Sequence, residues 1–331
     1  MRRYILPVVV VLSILALSGC QLIKPTPTPT SIPPTSTLAP LPIATLVPTH
    51  TPLPQPTPTL PYAQIIDNVT YCTVDGDTLT MDLYLPKNTN QRPTPIVLNV
   101  HGGSWSVGDK KVNETSRDIP ALVARGYIVA AVNYRHAPAH KFPAQIQDIK
   151  CAVRFLRAHA TLYNIDPNRI GAFGCSAGGH LVSMLGLADK SAGYDDGGEY
   201  ADYSSRMQAV IAMSAPTDLT LYNASRLDML ERVFGAKSMT DTVLATYSPI
   251  NYITPNAPPF LVIGGDQDVV VPLQQSQELY NHLQAQSHNA QLVVVQNGEH
   301  CLLSQDMTMT PSRIQVTNMM VDFFDQAMPS K

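Results

Sequence analysis

Charge is what this sequence has little of. Only 14% of its 331 residues are Asp, Glu, Lys or Arg, and the formal net charge is −3. No basic stripe interrupts that balance, so the electrostatic footprint of a nucleic-acid-binding surface is missing. Cysteine is scarce too, with five residues, none in a Cys-x-x-Cys pair and none grouped with histidine at zinc-site spacing. Nothing therefore calls for a metal, and the chemistry argued below needs no metal or organic cofactor. There is a single tryptophan, Trp105. The longest apolar run, residues 5–17, is too short for a comfortable membrane-spanning helix.

Proline, by contrast, is abundant and concentrated before residue 62, which marks a composition boundary. Ahead of it, Arg2 and Arg3 form a positive n-region, residues 5–17 an apolar h-region, and Leu17-Ser18-Gly19-Cys20 closes it. A cysteine directly after small residues at that point resembles a bacterial lipobox, which implies cleavage before Cys20 and diacylglycerol on its sulfur. Residues 1–19 then read as a lipoprotein signal peptide. Residues 20–61 read as a Pro/Thr-rich tether, unable to build a core and inclined to polyproline II. At about 3.1 Å per residue the stretch 24–61 would reach on the order of 100 Å. The expected location is outside the cytoplasm of a bacterium, anchored to its membrane through Cys20. Three Asn-x-Ser/Thr triplets, at Asn68, Asn113 and Asn223, are read as chance in such a chain. Cys72 and Cys151 are free to pair there, although no spacing requires it. Cys175 and Cys301 are expected to be small buried hydrophobes.

Residues 62–331 alternate strand-like and helix-like patterns. A hairpin is expected from 68–74 and 79–85 around Asp75-Gly76-Asp77, and buried strands at 95–100, 127–132, 170–173, 209–213, 259–263 and 291–295. Helices are expected at 119–125, 144–160, 181–188, 273–285 and 312–326. That alternation predicts an α/β fold with a mainly parallel central sheet and helices on both faces. Right-handed crossovers put the carboxyl ends of the strands on one edge, where ligands bind in such folds.

Four suspicious clusters each sit just after a strand: His101-Gly102-Gly103, Ser176, Asp268 and His300. Gly174-Cys175-Ser176-Ala177-Gly178 between a strand and a helix has the context of a nucleophile elbow. A serine hydroxyl needs a base to take its proton and a third group to orient that base. Ser176, Asp268 and His300 occur in the order nucleophile, acid, base, which is that of the α/β-hydrolases. Asp266 and Asp268 alternate along one loop, so both cannot face one imidazole. Asp268, which leads into Val269-Val270-Val271-Pro272, is preferred, with Asp266 as runner-up. His180 lies one turn into the elbow helix and is assigned to local packing. The backbone N–H of Ala177 and of Gly102 or Gly103 would hold an oxyanion.

His101-Gly-Gly-Ser-Trp105, Asn133-Tyr-Arg135, Gly174-Cys-Ser-Ala-Gly-Gly-His180, Asp268-Val-Val-Val-Pro272 and His300 resemble the α/β-hydrolase esterases related to hormone-sensitive lipase. The closest likeness is to the bacterial carboxylesterase branch that includes acetyl xylan and feruloyl esterases. It spans about residues 66–327 and implies the same triad and oxyanion hole. Two positions depart from the pattern. Ser104 replaces the third glycine, which leaves open which N–H groups form the hole, and Cys175 stands where the family often has an acid.

The reading is a serine carboxylesterase acting on small or carbohydrate-linked esters. Its rivals are an arylformamidase or peptidase on the same fold and a non-catalytic binding protein. Trp105 and a small helical cap from 219–247 are the expected pocket walls, with plain core packing as the alternative for each.

Overall fold

In a computed structural model the described residues are 62–87, 93–111, 113–195, 198–303 and 308–329. The signal-peptide, lipobox and tether expectations fall on residues 1–61 and lie outside them. Eight strands form one sheet: β1 (Tyr62–Val74), β2 (Asp77–Pro86), β3 (Thr94–Val100), β4 (Ile128–Val132), β5 (Ile165–Cys175), β6 (Ala209–Met213), β7 (Phe260–Gly265) and β8 (Ala290–Val295). Their spatial order is β1-β2-β4-β3-β5-β6-β7-β8. The β1–β2 and β2–β4 pairs are antiparallel and every later pair is parallel.

The helices are α1 (Ile119–Arg125), α2 (Ala144–Ala158), α3 (Ala177–Leu187), α4 (Leu227–Phe234), α5 (Thr242–Thr246), α6 (Leu273–Ala285) and α7 (Arg313–Ala327). Their ends follow local chemistry. Gly126 closes α1 in the left-handed region, and Ser312 with Gln315 forms a capping box at the start of α7. Two strands start earlier than their apolar runs suggest, because pairing extends them: Tyr62 of β1 faces Pro86, and Ile165 of β5 faces Thr94.

Burial on both faces explains the continuous apolar runs of the central strands. One face packs Val97, Phe173, Ile211 and Ile263 against Leu122 of α1 and Val316, Met320 and Phe324 of α7. The other packs Leu98, Ala172, Val210 and Val262 against α2, α3 and α6. Phe173 is fully buried, and truncating such a residue costs about 3–5 kcal/mol. Cys72 of β1 is disulfide-bonded to Cys151 of α2, which fastens the antiparallel end of the sheet to that second layer.

Candidate active site

Ser176 stands between the end of β5 and the first residue of α3, with φ 57° and ψ −124°. A non-glycine residue there is strained, and it persists only where its surroundings over-determine it. The packing is tight enough to do so. A Cβ on Gly178 would lie 2.0 Å from the Val100 carbonyl oxygen, so only glycine lets α3 start against the end of β3. The resulting helix directs its N-terminal partial positive charge at the serine.

The other candidate residues arrive from the expected loops. His300 follows β8, and its Nδ1 lies 2.9 Å from Asp268 Oδ2 and 3.1 Å from Oδ1. Asp268 Oδ1 also accepts the N–H groups of Val270 at 2.9 Å and Val271 at 2.8 Å. Burial alone would raise the Asp268 carboxyl. The hydrogen bonds from His300 and Val271 outweigh it and hold the group below the usual carboxylate range. Asp266 is exposed and Asp268 buried, so the alternation along that loop resolves in favour of Asp268.

Ser214 is a residue that sequence reasoning missed. It follows β6, has φ 43°, and its Oγ accepts the Cys301 N–H at 3.2 Å. Its hydroxyl also hydrogen-bonds Asp268. Its position just after a strand on the catalytic edge was the available signal, but nothing in Met213-Ser214-Ala215-Pro216 marks it out.

The His101-Gly102-Gly103 turn is held from below by Tyr134, whose hydroxyl donates to the carbonyl oxygens of His101 at 3.0 Å and Gly102 at 3.3 Å. The His101 ring stacks on Tyr134 with centroids 4.3 Å apart, and burial lowers its pKa to about 4. Arg135 forks onto the buried Asp148 of α2, with Nη2 2.8 Å from Oδ1, so the Asn-Tyr-Arg segment anchors this loop to the second layer. Gly103 has φ 102°, and a Cβ there would meet the Val107 carbonyl oxygen at 2.0 Å.

Of the expected oxyanion donors, Gly102 is already engaged: its N–H points at Glu114 Oε2, 3.3 Å away. The N–H groups of Gly103, Ser104 and Ala177 have no acceptor among the described residues. Glu114 carried no signal in the sequence. It lies twelve positions beyond the glycine it meets and is brought there by a turn.

Three expectations are corrected here. Cys175 and Cys301 are not separate buried hydrophobes but a disulfide, which only their tertiary proximity reveals. The Gly102 N–H is spent on Glu114. Trp105 is 2% exposed and is core rather than pocket wall: its ring packs edge-on against Phe234, with centroids 4.9 Å apart, and its Nε1 donates to His180 Nδ1 at 3.2 Å.

His180 in turn donates from Nε2 to the Tyr247 carbonyl oxygen at 2.9 Å. Burial holds its pKa down to about 4, and the neutral ring is fixed in one tautomer by its two partners. It ties the cap, α4 and α5, to the elbow helix.

A cavity of about 170 Å³ opens between Leu221 and Tyr222 of the cap segment and Val269 and Val270 beside Asp268. A larger one, about 430 Å³, lies at the opposite edge of the sheet, beyond the end of α3. There Lys150 Nζ is spent on the Ala188 carbonyl, Asp195 and Ser205.

The BD-FAE family matches residues 81–283, a span that contains the oxyanion turn, Ser176 and Asp268. The chain belongs to the BD-FAE family. It is 33% identical over 222 residues to the esterase LipC of Mycobacterium tuberculosis, an alignment covering 65% of this chain and 54% of LipC. The chain thus spans about half the length of the curated relatives it matches. A solved truncated form of a carbohydrate esterase from gut microbiota is 28% identical with a TM-score of 0.70, over 82% of this chain and 98% of that one. The native esterase of Thermogutta terrifontis, 22% identical with a TM-score of 0.66 over 82% and 94% of the two chains, shares the fold. That fold is the α/β-hydrolase fold. The family match ends before His300, so the histidine rests on the geometry above.

Proposed function

We propose that this BD-FAE member is a serine carboxylesterase acting on small or carbohydrate-linked esters. The observation that carries the reading is the strained Ser176 elbow sharing one sheet edge with a His300–Asp268 pair at 2.9 Å. His300 Nδ1–H donates to Asp268, which leaves Nε2 to take the Ser176 proton as Oγ attacks the ester carbonyl. The carboxylate stabilises the imidazolium that forms. Ala177 N–H, with Gly103 and Ser104 beside it, receives the negative oxygen, each donor worth about 2.7–4 kcal/mol of barrier. His300 returns the proton to the leaving alcohol, and water repeats the sequence on the acyl-enzyme.

A carbohydrate-linked ester is favoured by the likeness to a solved carbohydrate esterase. The deciding experiment is a panel of nitrophenyl acetate, nitrophenyl butyrate, a formyl-amide and acetylated xylan. Acetyl esters should be cleaved fastest and the amide not at all, and faster amide cleavage would move the protein to a different reaction.

The second part of the proposal is location: a lipid anchor at Cys20 and a Pro/Thr tether holding the catalytic domain outside the cytoplasm. Two disulfides among the described residues support an oxidising compartment. Cys20→Ser should release the protein from the membrane fraction, and unchanged membrane association would refute the anchor.

A further inference from the structure

The Cys175–Cys301 disulfide joins the residue before the nucleophile to the residue after the base, across 126 positions, with the Cα atoms 5.8 Å apart. The two come from strands that are not neighbours. β5, which ends at Cys175, is separated by β6 and β7 from β8, whose loop carries His300. At ordinary strand spacing that is about 14 Å. A loop leaving β8 must double back over two strand ends to present its imidazole to Ser176.

Each strand end on the way supplies one anchor. Beyond β7, Asp268 holds His300 Nδ1 at 2.9 Å. Beyond β6, Ser214 Oγ accepts the Cys301 N–H at 3.2 Å. At β5, Cys175 is bonded to Cys301 itself. The first two orient the ring and its loop, but neither spans from the loop to the nucleophile's own strand. The covalent one does. It also secures a backbone that is conformationally costly, since Cys301 and Leu302 have φ 56° and 53°.

We infer that Cys175 and Cys301 are a positioning pair, whose crosslink keeps His300 in register with Ser176 and so sets the turnover rate. This deepens the serine esterase reading and rests on it. A misplacement of about 1 Å costs on the order of 10²-fold in rate. The other disulfide supplies the control. Cys72–Cys151 joins β1 to α2 and adjoins none of the triad, although it too closes a long loop of 79 positions. Both restrict the unfolded chain. Only one joins the chain neighbours of Ser176 and His300.

The test compares the wild type with Cys72→Ala/Cys151→Ala and Cys175→Ala/Cys301→Ala on nitrophenyl acetate, well below every unfolding midpoint. The control variant should lose thermal stability and keep kcat within about twofold. The Cys175/Cys301 variant should lose about 10- to 100-fold in kcat and in fluorophosphonate labelling rate, with KM nearly unchanged. Cys301→Ala alone should match the double variant, because either change severs the bond. A folded double variant with wild-type kcat overturns the inference.

Should the double variant not fold, Cys72→Ala/Cys151→Ala prepared in a reducing cytosol replaces it, its thiols verified by alkylation and mass. Glutathione disulfide then takes two electrons from Cys175 and Cys301. The S–S bond forms, and the two thiol protons leave with two molecules of glutathione. kcat should rise on oxidation, and an unchanged kcat again overturns the inference. If the wild type cleaves no ester yet Ser176 still takes the fluorophosphonate, the esterase reading has failed, and the labelling rates alone decide the role of the disulfide.

Discussion

His180 and His300 are the same residue type on the same edge of the same sheet, and their surroundings give them opposite work. His180 is fully buried, with Nδ1 accepting from Trp105 and Nε2 donating to the Tyr247 carbonyl. Burial holds its pKa down to about 4, and no ring nitrogen is left for a proton in transit. His300 keeps 22% of its side chain exposed and leans one nitrogen on the buried Asp268 carboxylate. Two neutral partners inside the core make a brace. One carboxylate partner at a solvent-accessible loop suits the base proposed here. Proximity to the nucleophile in sequence favours His180, but the hydrogen-bond partners favour His300.

Substitution at the two positions should separate those roles most sharply. His300→Ala, like Ser176→Ala, should lower kcat by about 10⁶-fold with little change in thermal midpoint. His180→Ala should leave far more activity but lower the unfolding free energy by about 2–4 kcal/mol, because the Trp105 N–H and the Tyr247 carbonyl lose their partner in the core. Kinetics and denaturant melts on both variants check this, and the reverse pattern would collapse the distinction. At the acid, Asp268→Asn should cost about 10⁴-fold in kcat by upsetting the His300 tautomer. Asp266→Asn should stay within about twofold, since that carboxylate faces solvent.

Acid should also expose the buried histidines. The folded pKa values of His180 and His101 are lowered from 6.5 to about 4. The unfolded chain therefore binds more protons than the folded one below pH 6.5. Their contribution is intact above pH 6.5 and is lost as pH falls toward 4. Each histidine should remove about 2 kcal/mol of stability between pH 7 and pH 5, read from urea melts. A folded His180→Gln variant should show a shallower pH slope. A more modest loss than at Asp268 is expected at Ser214. Ser214→Ala removes a partner of Asp268 and the acceptor of the Cys301 N–H, and should lower kcat about tenfold while KM holds. A loss in KM alone would place Ser214 with substrate binding instead.

Most strands and helices of residues 62–331 were legible because their signals are local: apolar runs for buried strands, 3.6-residue spacing for helices, glycine at sharp turns. The proposed triad was legible through chain order, since each candidate follows a strand and parallel strands share a carboxyl edge. The misses have a common cause. Cys175 pairs with Cys301 across 126 positions, Ser214 joins two loops from different strands, and Glu114 meets Gly102 across a turn. Each depends on where a loop travels after its strand ends, and no periodicity records that path. Trp105 fails differently. An aromatic beside the oxyanion turn suits pocket and core equally, and the decision came from Phe234 and His180 closing over it.

Sequence alone determined the sheet-and-helix framework, the family resemblance, and the serine, aspartate and histidine with their order, because turns and hydrophobic patterns are written over a few consecutive residues. Tertiary structure decided which aspartate faces the imidazole, which N–H groups stay free for an oxyanion, that His180 is held neutral, and that a disulfide spans the nucleophile and base loops. Those outcomes depend on distances of a few ångströms between segments far apart in the chain, and such distances are set only when both faces of the sheet are packed.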